Sequence, residues 1–371
     1  MLNEKKWIKL WILLTLFIPI IALFNYLIDP NGMNNKVHIP RVNVFKKTNT
    51  GYCYRFKVNR LIDDEFNTLM LGTSRIGVMD PNVVSHYTKG KTFNLEAPAS
   101  ITEMHYKLFM YALKYNNIKS LVYGIDFMTF NGSRTLEKTY PHFNQLNEKI
   151  INKEKISNYD LYFNLDTTES SFTVLYKNLM NKKIVTDMFF NNGMRVFYPY
   201  IDRLKKGTYS FDKRLHYSFN EYYNRVNGIY KDYKFSKEYL YYFSKIIEEC
   251  KARNIKIWVY IPPMYSSFFD SLNSMGYFDE FEKFKRELVK VTNYIDFTGH
   301  NTITNNKENY WDGSHLRVNV TTPIMARVFN DKSVDVPSDF GVFVTKENIE
   351  KHLKNLRAQI KELNSTEILS Y

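Results

Sequence analysis

Two short segments of the sequence carry residue types that together can activate a hydroxyl group. Ser74 follows the apolar run of residues 68–71 after a Gly-Thr pair, and Asp312 and His315 lie three positions apart in a turn-forming segment. A carboxylate that accepts from one imidazole nitrogen fixes the tautomer and leaves the other nitrogen to take a proton from a serine. The pattern therefore indicates a serine nucleophile, a histidine base and an aspartate that orients the base.

Each of these residues also has an alternative interpretation. Ser74 could serve only as the N-cap of the following helix, which is a frequent use of serine. If Ser74 instead opens that helix beyond the carboxyl end of a strand, its hydroxyl faces the crevice and its backbone N–H can stabilise an oxyanion there. His300 follows a predicted strand end and is the rival base to His315, because the other six histidines lie in helices or polar loops.

Metal chemistry is not indicated by the sequence. There is no HExxH segment, and Cys53 and Cys250 are too far apart in the chain to suggest a disulfide framework or a four-ligand zinc site. We therefore expect neither a metal ion nor another cofactor.

The elements that must position these residues alternate between strands and helices. This alternation predicts an α/β fold with a parallel sheet and helices on both faces. Strands are predicted at residues 68–71, 93–95, 120–125, 255–261 and 294–297, and helices at 103–115, 237–253, 278–291 and 320–329.

The N-terminus predicts the compartment of the protein. Residues 10–28 are 19 uncharged, mostly apolar residues that follow three lysines. A bilayer core of ~30 Å requires about 20 such residues in a helix, and lysines hold the short N-terminal end in the cytoplasm. We expect a single-pass anchor with the rest of the chain outside the cell membrane. A cleaved signal peptide is the competing interpretation, although no small-residue cleavage site follows the apolar run.

The 371-residue length allows more than one structural unit. We expect a membrane anchor, a stalk, an α/β domain in two segments around a mainly helical insertion, and a C-terminal amphipathic helix that either packs on the body or binds a partner helix. The predicted boundaries are 1–30 for the anchor, 31–60 for the stalk, 61–130 and 236–345 for the α/β domain, 131–235 for the insertion, and 346–371 for the C-terminal helix.

The net charge of the chain suggests an anionic partner. Lys and Arg number 51 against 38 Asp and Glu, giving +13, and nearly all of this excess lies beyond residue 30. Such a field attracts nucleic acid, anionic lipid or acidic polymers. Because we expect the body to be exported, we predict no nucleic-acid partner and favour an anionic polymer or the membrane surface.

The segments LMLGTSRIGVMDP, KTFNLEAPAS, VYGIDF, VYIPPMY and YWDGSHLRVNV, between residues 68 and 320, together resemble the SGNH (GDSL-like) hydrolase superfamily. Within it, the chain looks most like the membrane-anchored branch related to alginate O-acetyltransferase accessory proteins and the teichoic-acid D-alanyl transfer protein. The resemblance implies an SGNH-like three-layer α/β/α fold. It implies Ser74 as nucleophile, His315 as base and acid, Asp312 as its orienting partner, and Ser74 and Asn94 as the oxyanion hole.

Two further residues are candidates for substrate binding. Arg75, next to the proposed nucleophile, could neutralise a carboxylate or phosphate on the acceptor, or it could pair with Asp126 or Asp312. Asp126 could contact substrate from the end of the third strand, or it could act as a turn or helix-cap residue.

The resemblance implies an extracytoplasmic O-acyltransferase that modifies a polysaccharide, with acetyl as the expected acyl group. A membrane-bound O-acyltransferase is the implied acyl donor. A carbohydrate esterase and a non-catalytic polymer-binding or assembly protein on the same fold are the alternatives.

Overall fold

The central element of the protein is a six-stranded sheet. A computed structural model describes residues 4–34, 36–46, 52–182, 188–364 and 368. The strands in the described chain are β1 (Thr68–Gly72), β2 (Thr92–Glu96), β3 (Ser120–Gly124), β4 (Met188–Phe189), β5 (Arg195–Val196), β6 (Lys256–Ile261), β7 (Tyr294–Asp296) and β8 (Val342–Val344). The main sheet has the order β2-β1-β3-β6-β7-β8, with β4 and β5 forming a separate two-stranded ribbon.

Both faces of the main sheet are buried. Leu69 and Leu71 of β1 belong to one hydrophobic cluster, whereas Met70 between them belongs to another. Since neighbouring residues of a strand point to opposite faces, the uninterrupted apolar runs reflect a sheet covered on both sides. Strands β1, β2, β3, β6 and β7 are parallel, and β8 joins the edge antiparallel to β7. The prediction of a mixed α/β fold with a largely parallel sheet is confirmed, and β8 was not predicted.

Helices connect the strands and build the insertion. Short 3-10 turns lie at Phe127–Phe130, Lys307–Asn309 and Val318–Val320. The α-helices of the described chain are α1 (Glu4–Ile28), α2 (Cys53–Asp63), α3 (Ser74–Gly77), α4 (Pro81–Thr88), α5 (Thr102–Tyr115), α6 (Leu136–Thr139), α7 (Pro141–Ile151), α8 (Tyr159–Tyr162), α9 (Leu165–Leu179), α10 (Tyr198–Lys205), α11 (Phe211–Tyr223), α12 (Lys237–Ala252), α13 (Ser266–Ser274), α14 (Phe278–Val291), α15 (Thr321–Val328) and α16 (Ile349–Gln359).

The prediction of a stalk over residues 31–60 is wrong for residues 53–60, which form part of a packed helix. Residues 53–60 belong to α2, whose Phe56, Val58 and Leu61 are buried and which packs against α5. Most residues of this helix are buried, including the polar Lys57, Asn59 and Arg60, so no single apolar stripe marked the helix in the sequence. Residues 35 and 47–51 of the predicted stalk lie outside the described residues.

The insertion shares the hydrophobic core of the rest of the chain. Phe143 of α7 packs its ring against Tyr54 of α2, with ring centroids 5.2 Å apart, and Phe219 of α11 stacks on Phe268 of α13. These rings belong to the same buried cluster as the strand residues Leu69 and Leu71. The segment is mainly helical, and its Leu161 and Phe189 belong to a small third cluster with Met33, Cys53 and Phe56. The insertion thus shares its hydrophobic contacts with the rest of the described chain.

The N-terminal helix α1 is the one helix in the described ranges that is long and apolar enough to cross a membrane. Its last turn does not stand free. The amide of the fully buried Asn25 donates to Tyr162 O and Thr168 Oγ1, both at 2.8 Å, and its oxygen accepts from Ser171 at 2.8 Å. The C-terminal end of α1 is therefore bonded to α8 and α9 of the insertion.

The C-terminal helix is shorter than predicted. α16 ends at Gln359 because Ile360 adopts extended backbone angles, and Ile360 and Leu363 continue as a loop that still packs on the core. The buried Leu353 and Leu356 show that the apolar stripe of α16 faces the body. Residues 365–367 and 369–371 of the predicted helix lie outside the described residues.

Candidate functional site

Ser74 lies directly beyond the carboxyl end of β1, in a turn where its hydroxyl is not used to cap the following helix. The N-cap of α3 is Thr73, whose side chain accepts from the backbone N–H of Arg75, so Ser74 is the first residue of the helix and not its cap. Gly72 permits the turn, because a Cβ there would lie 2.4 Å from the carbonyl oxygen of Gly124 on the neighbouring strand. The capping interpretation of Ser74 is therefore wrong.

The structure brings Ser74, His315 and Asp312 into one chain of hydrogen bonds. His315 Nε2 lies 2.9 Å from Ser74 Oγ, and His315 Nδ1 lies 2.9 and 3.0 Å from the two carboxylate oxygens of Asp312. With Asp312 accepting from Nδ1–H, the imidazole is held in the tautomer whose Nε2 can accept a proton from the serine. This is the arrangement that the sequence predicted for the two segments.

The turn at residues 312–315 explains why the Asp-x-x-His spacing works. Asp312 Oδ1 accepts from the backbone N–H of Ser314 at 2.9 Å and from that of His315 at 2.8 Å. An aspartate that accepts from the backbone two and three residues ahead closes a tight turn. The same carboxylate therefore shapes the loop and orients the imidazole within it.

Burial and charge set the protonation states of this pair. Burial acts to raise the pKa of Asp312, but His315 and the two backbone N–H groups outweigh it and lower the pKa to about 2. Burial likewise acts to lower the pKa of His315, and the Asp312 carboxylate outweighs it, so the pKa of His315 lies above its ordinary value. Asp312 is thus ionised at neutral pH, which is the state required to stabilise an imidazolium.

Side chains of the insertion contact the His315 loop, and these contacts were not predicted from the sequence. The ring of Phe197 meets the imidazole of His315 edge to face, with centroids 5.2 Å apart, and the backbone N–H of Gly313 donates to Ser218 Oγ at 3.3 Å. Arg214 Nη2 lies 3.9 Å from Asp312 Oδ2. No sequence motif marks these residues, because Phe197 precedes α10 whereas Arg214 and Ser218 lie on α11.

Two residues of opposite charge act on His315 from the insertion. Glu221 raises the pKa of His315 and Arg195 lowers it. Glu221 is exposed to solvent on one side, and partial desolvation by the surrounding protein raises its own pKa. Neither residue was predicted from the sequence.

Arg75 and Asp126 form a buried ion pair behind Ser74, and this corrects the predicted role of both in substrate binding. Arg75 Nη1 lies 2.8 Å from Asp126 Oδ1, with the two side chains 1% and 0% exposed, and Thr73 Oγ1 donates to the same carboxylate. Groups without accessible surface cannot contact a substrate unless the fold opens. The ion-pair alternative for Arg75 is the one that the structure contains.

Asn94 is placed near the Ser74 turn, but its amide is already engaged. Its Nδ2 donates to the carbonyls of Ile76, Met79 and Gly77 at 2.8, 3.1 and 3.3 Å, and the residue is fully buried. This amide holds the α3 turn against β2, so it could serve an oxyanion only after breaking those bonds. The backbone N–H of Ser74, as the first of α3, has no acceptor among the described residues and stays available for that role.

Other histidines of the protein are not placed to act on Ser74. His105 contacts Ser100 Oγ at 2.6 Å and Tyr123 at 2.8 Å, but this second serine–histidine pair is fully buried and desolvation lowers the pKa of His105 to about 3. His300, the rival base, bonds instead to Asp270 at 2.9 Å. Burial and geometry thus distinguish His315 from both.

Comparison with known proteins identified no family for the chain. No protein-family model matches the chain, and no curated protein matches it significantly. Within the described ranges, no three His, Cys, Asp or Glu side chains are grouped to hold a metal ion. The hydrogen bonds among Ser74, His315 and Asp312 can support chemistry in which an imidazole activates a hydroxyl.

Proposed function

We propose that the protein is a serine acyltransferase that works outside the cell membrane and transfers an acyl group, expected to be acetyl, to a hydroxyl of a polysaccharide. The observation that carries this proposal is the 2.9 Å contact between Ser74 Oγ and His315 Nε2, backed by the ionised Asp312. A serine in such a chain is a nucleophile toward acyl carbonyls.

The proposed reaction has two halves. Ser74 Oγ attacks the carbonyl carbon of the acyl donor while His315 Nε2 takes the hydroxyl proton, and the leaving group departs with that proton. The acyl-serine ester is then attacked by a sugar hydroxyl, which gives its proton to His315, and collapse of the adduct returns the proton to Ser74 Oγ. The backbone N–H of Ser74 is the proposed donor to the oxyanion of both adducts.

The location of the reaction follows from the N-terminus. The helix α1 is long and apolar enough to span a bilayer, and Lys5, Lys6 and Lys9 lie at its N-terminal end. Under the positive-inside rule, this end faces the cytoplasm and the C-terminal body lies outside. We propose a single-pass protein whose SGNH-like domain faces the extracytoplasmic side.

The proposed partners are an acyl donor and an acceptor polymer. The resemblance to the membrane-anchored SGNH branch implies a membrane-bound O-acyltransferase as the donor, and we propose that partner here. The formal charge of +13 favours an acidic polysaccharide as the acceptor. A carbohydrate esterase would differ only in that water, and not a sugar, reaches the acyl-serine.

The test is acyl transfer by the purified full chain in detergent. We expect release of nitrophenol from nitrophenyl acetate, a fall of about 1,000-fold or more in the Ser74→Ala variant, and acetyl-Ser74 in the mass spectrum of a quenched reaction. The matched control is Ser100→Ala, because Ser100 also contacts a histidine but is buried. Equal rates for Ser74→Ala and the unaltered chain would leave the non-catalytic alternative. Acetylated oligosaccharide in the products supports the transferase, and free acetate alone supports the esterase.

A further inference from the structure

The helix α9 carries an exposed apolar stripe beside the membrane helix. The stripe is formed by side chains that are between 53% and 80% exposed, although all four are large and hydrophobic. Its members are Leu165, Phe172, Tyr176 and Leu179.

The stripe is distinct from the face that packs on the protein. At 3.6 residues per turn, the buried residues Thr167, Ser171, Val174 and Asn178 lie on a different face of the same helix. The charged Asp166 and Lys177 lie on the flank between these two faces, and the exposed Glu169 lies at the edge of the stripe, four residues after Leu165 and seven before Tyr176. α9 therefore presents an apolar face bordered by charged residues, opposite the face that packs on the protein.

This stripe is continuous with the surface of α1. Phe172 packs against Phe24 of α1 with ring centroids 4.9 Å apart, and the ring of Tyr26 meets that of Tyr162 on α8 at 5.6 Å. Asn25, between these two aromatic residues, bonds to both helices of the insertion. Lipid around the emerging end of α1 would thus meet α8 and α9 next.

The surroundings of this junction have the composition of a membrane interface. Tyr159 and Phe163 are 72% and 57% exposed beside the stripe, and tyrosine and other aromatic residues are enriched at the headgroup level of membranes. A cleft of about 640 Å³ at the base of α1 is lined by aromatic residues, by Lys36, which pairs with Asp63 at 3.8 Å, and by the exposed Lys155. An exposed cation such as Lys155 at this level favours anionic lipid headgroups.

We infer that α8 and α9 rest on the outer surface of the bilayer, with the α9 stripe inserted among the lipid headgroups beside α1. Isolated apolar patches of this kind on a soluble protein mark an interaction surface, and an amphipathic helix with aromatic and cationic neighbours suits the interface of a bilayer. Two attachments, α1 and α9, fix the orientation of the body relative to the membrane, which a single helix does not. This inference rests on the proposed membrane span of α1 and not on the catalytic proposal.

Nitroxide labels on the full chain in phosphatidylethanolamine–phosphatidylglycerol vesicles test the inference. Cys53 and Cys250 are buried, so single cysteines introduced on the surface can be labelled selectively. Leu165→Cys and Leu179→Cys report on the two ends of the stripe, and Asp166→Cys and Lys177→Cys are matched controls on the charged flank of the same helix. The measurement is the ratio of collisions with oxygen to collisions with an aqueous nickel chelate.

We expect this ratio to be at least several-fold higher at positions 165 and 179 than at 166 and 177, and similar at 165 and 179 because the helix lies flat on the bilayer. Ratios at 165 and 179 equal to the controls, with a Leu16→Cys label in α1 protected by lipid, would overturn the inference and leave the stripe to a protein partner. A water-accessible label at position 16 would instead overturn the membrane span on which the inference rests. An acylation assay on the same samples reports separately on the proposed function.

Discussion

Ser74 Oγ and His315 Nε2 lie 2.9 Å apart although 241 positions separate the two residues in the chain. Ser74 is carried by the end of β1, and His315 by a loop that the Asp312 carboxylate closes on itself. The contact thus depends on a sheet edge on one side and on a four-residue turn on the other. Most of the predictions below concern the residues that hold the end of β1 and the His315 loop in contact.

The Asp312→Asn variant should distinguish the role of Asp312 in orienting the His315 imidazole from its role in shaping the loop. The amide keeps the size of the carboxylate, but it cannot stabilise an imidazolium and it can present an N–H to His315, which favours the wrong tautomer. We expect kcat for nitrophenyl acetate to fall about 1,000- to 10,000-fold with little change in KM. Asp270→Asn is the matched control, because Asp270 orients His300 and not His315. Similar losses in both variants would contradict the assigned role of Asp312.

Substitution of Glu221 and of Arg195 should shift the acid limb of the kcat/KM pH profile in opposite directions. His315 must be neutral to take the serine proton, and its pKa is raised, so kcat/KM should fall with decreasing pH from a point above the ordinary pKa of histidine. Glu221→Gln removes a charge that raises this pKa, so the limb moves to lower pH. Arg195→Gln removes a charge that lowers it, so the limb moves to higher pH.

The measurement for this pair is kcat/KM between pH 5 and pH 9 at low and high salt. Because Glu221 is exposed and Arg195 is partly exposed, salt screens both charges, and the two shifts should shrink as ionic strength rises. Shifts in the same direction for both variants would show that structural disturbance, and not charge, is responsible.

The buried ion pair between Arg75 and Asp126 should contribute to the free energy of unfolding. Arg75→Met leaves the Asp126 carboxylate buried without its cation, and breaking such a pair costs about 3–5 kcal/mol. The double variant Arg75→Met/Asp126→Leu removes both charges and should recover most of that loss. Urea unfolding in detergent, followed by circular dichroism, measures both. A double variant as unstable as the single one would exclude the ion pair as the source of the effect.

Phe197 should matter for catalysis although it comes from the insertion. Its ring packs edge to face on the imidazole of His315, and it is 5% exposed. We expect Phe197→Ala to lower kcat roughly 10-fold or more, because small displacements of a catalytic group are costly. Phe197→Leu should lose less, and Phe190→Ala, which removes a 42% exposed ring nearby in the chain, should have little effect. Unchanged kcat in Phe197→Ala would show that the loop is held without this ring.

The parts of the site that were predictable are those encoded by local chemistry. The strand at residues 68–72, the turn after it and the Asp-x-x-His loop are short-range features, and the structure contains each of them. The roles that failed depend on long-range contacts. Arg75 and Asp126 are adjacent only because β1 and β3 are neighbours in the sheet, and that adjacency buries both side chains. The engaged amide of Asn94 reflects the packing of α3 on β2 in the same way.

The sequence by itself determined the alternation of strands and helices, the apolar N-terminal helix and the two segments that carry Ser74, Asp312 and His315, because hydrophobic periodicity and turn chemistry are local properties. Only the tertiary structure decided that Thr73 and not Ser74 caps α3, that the insertion supports the His315 loop, and that α9 lies bonded to the end of α1. These outcomes depend on which surfaces are buried against each other, and burial is a property of the whole folded chain.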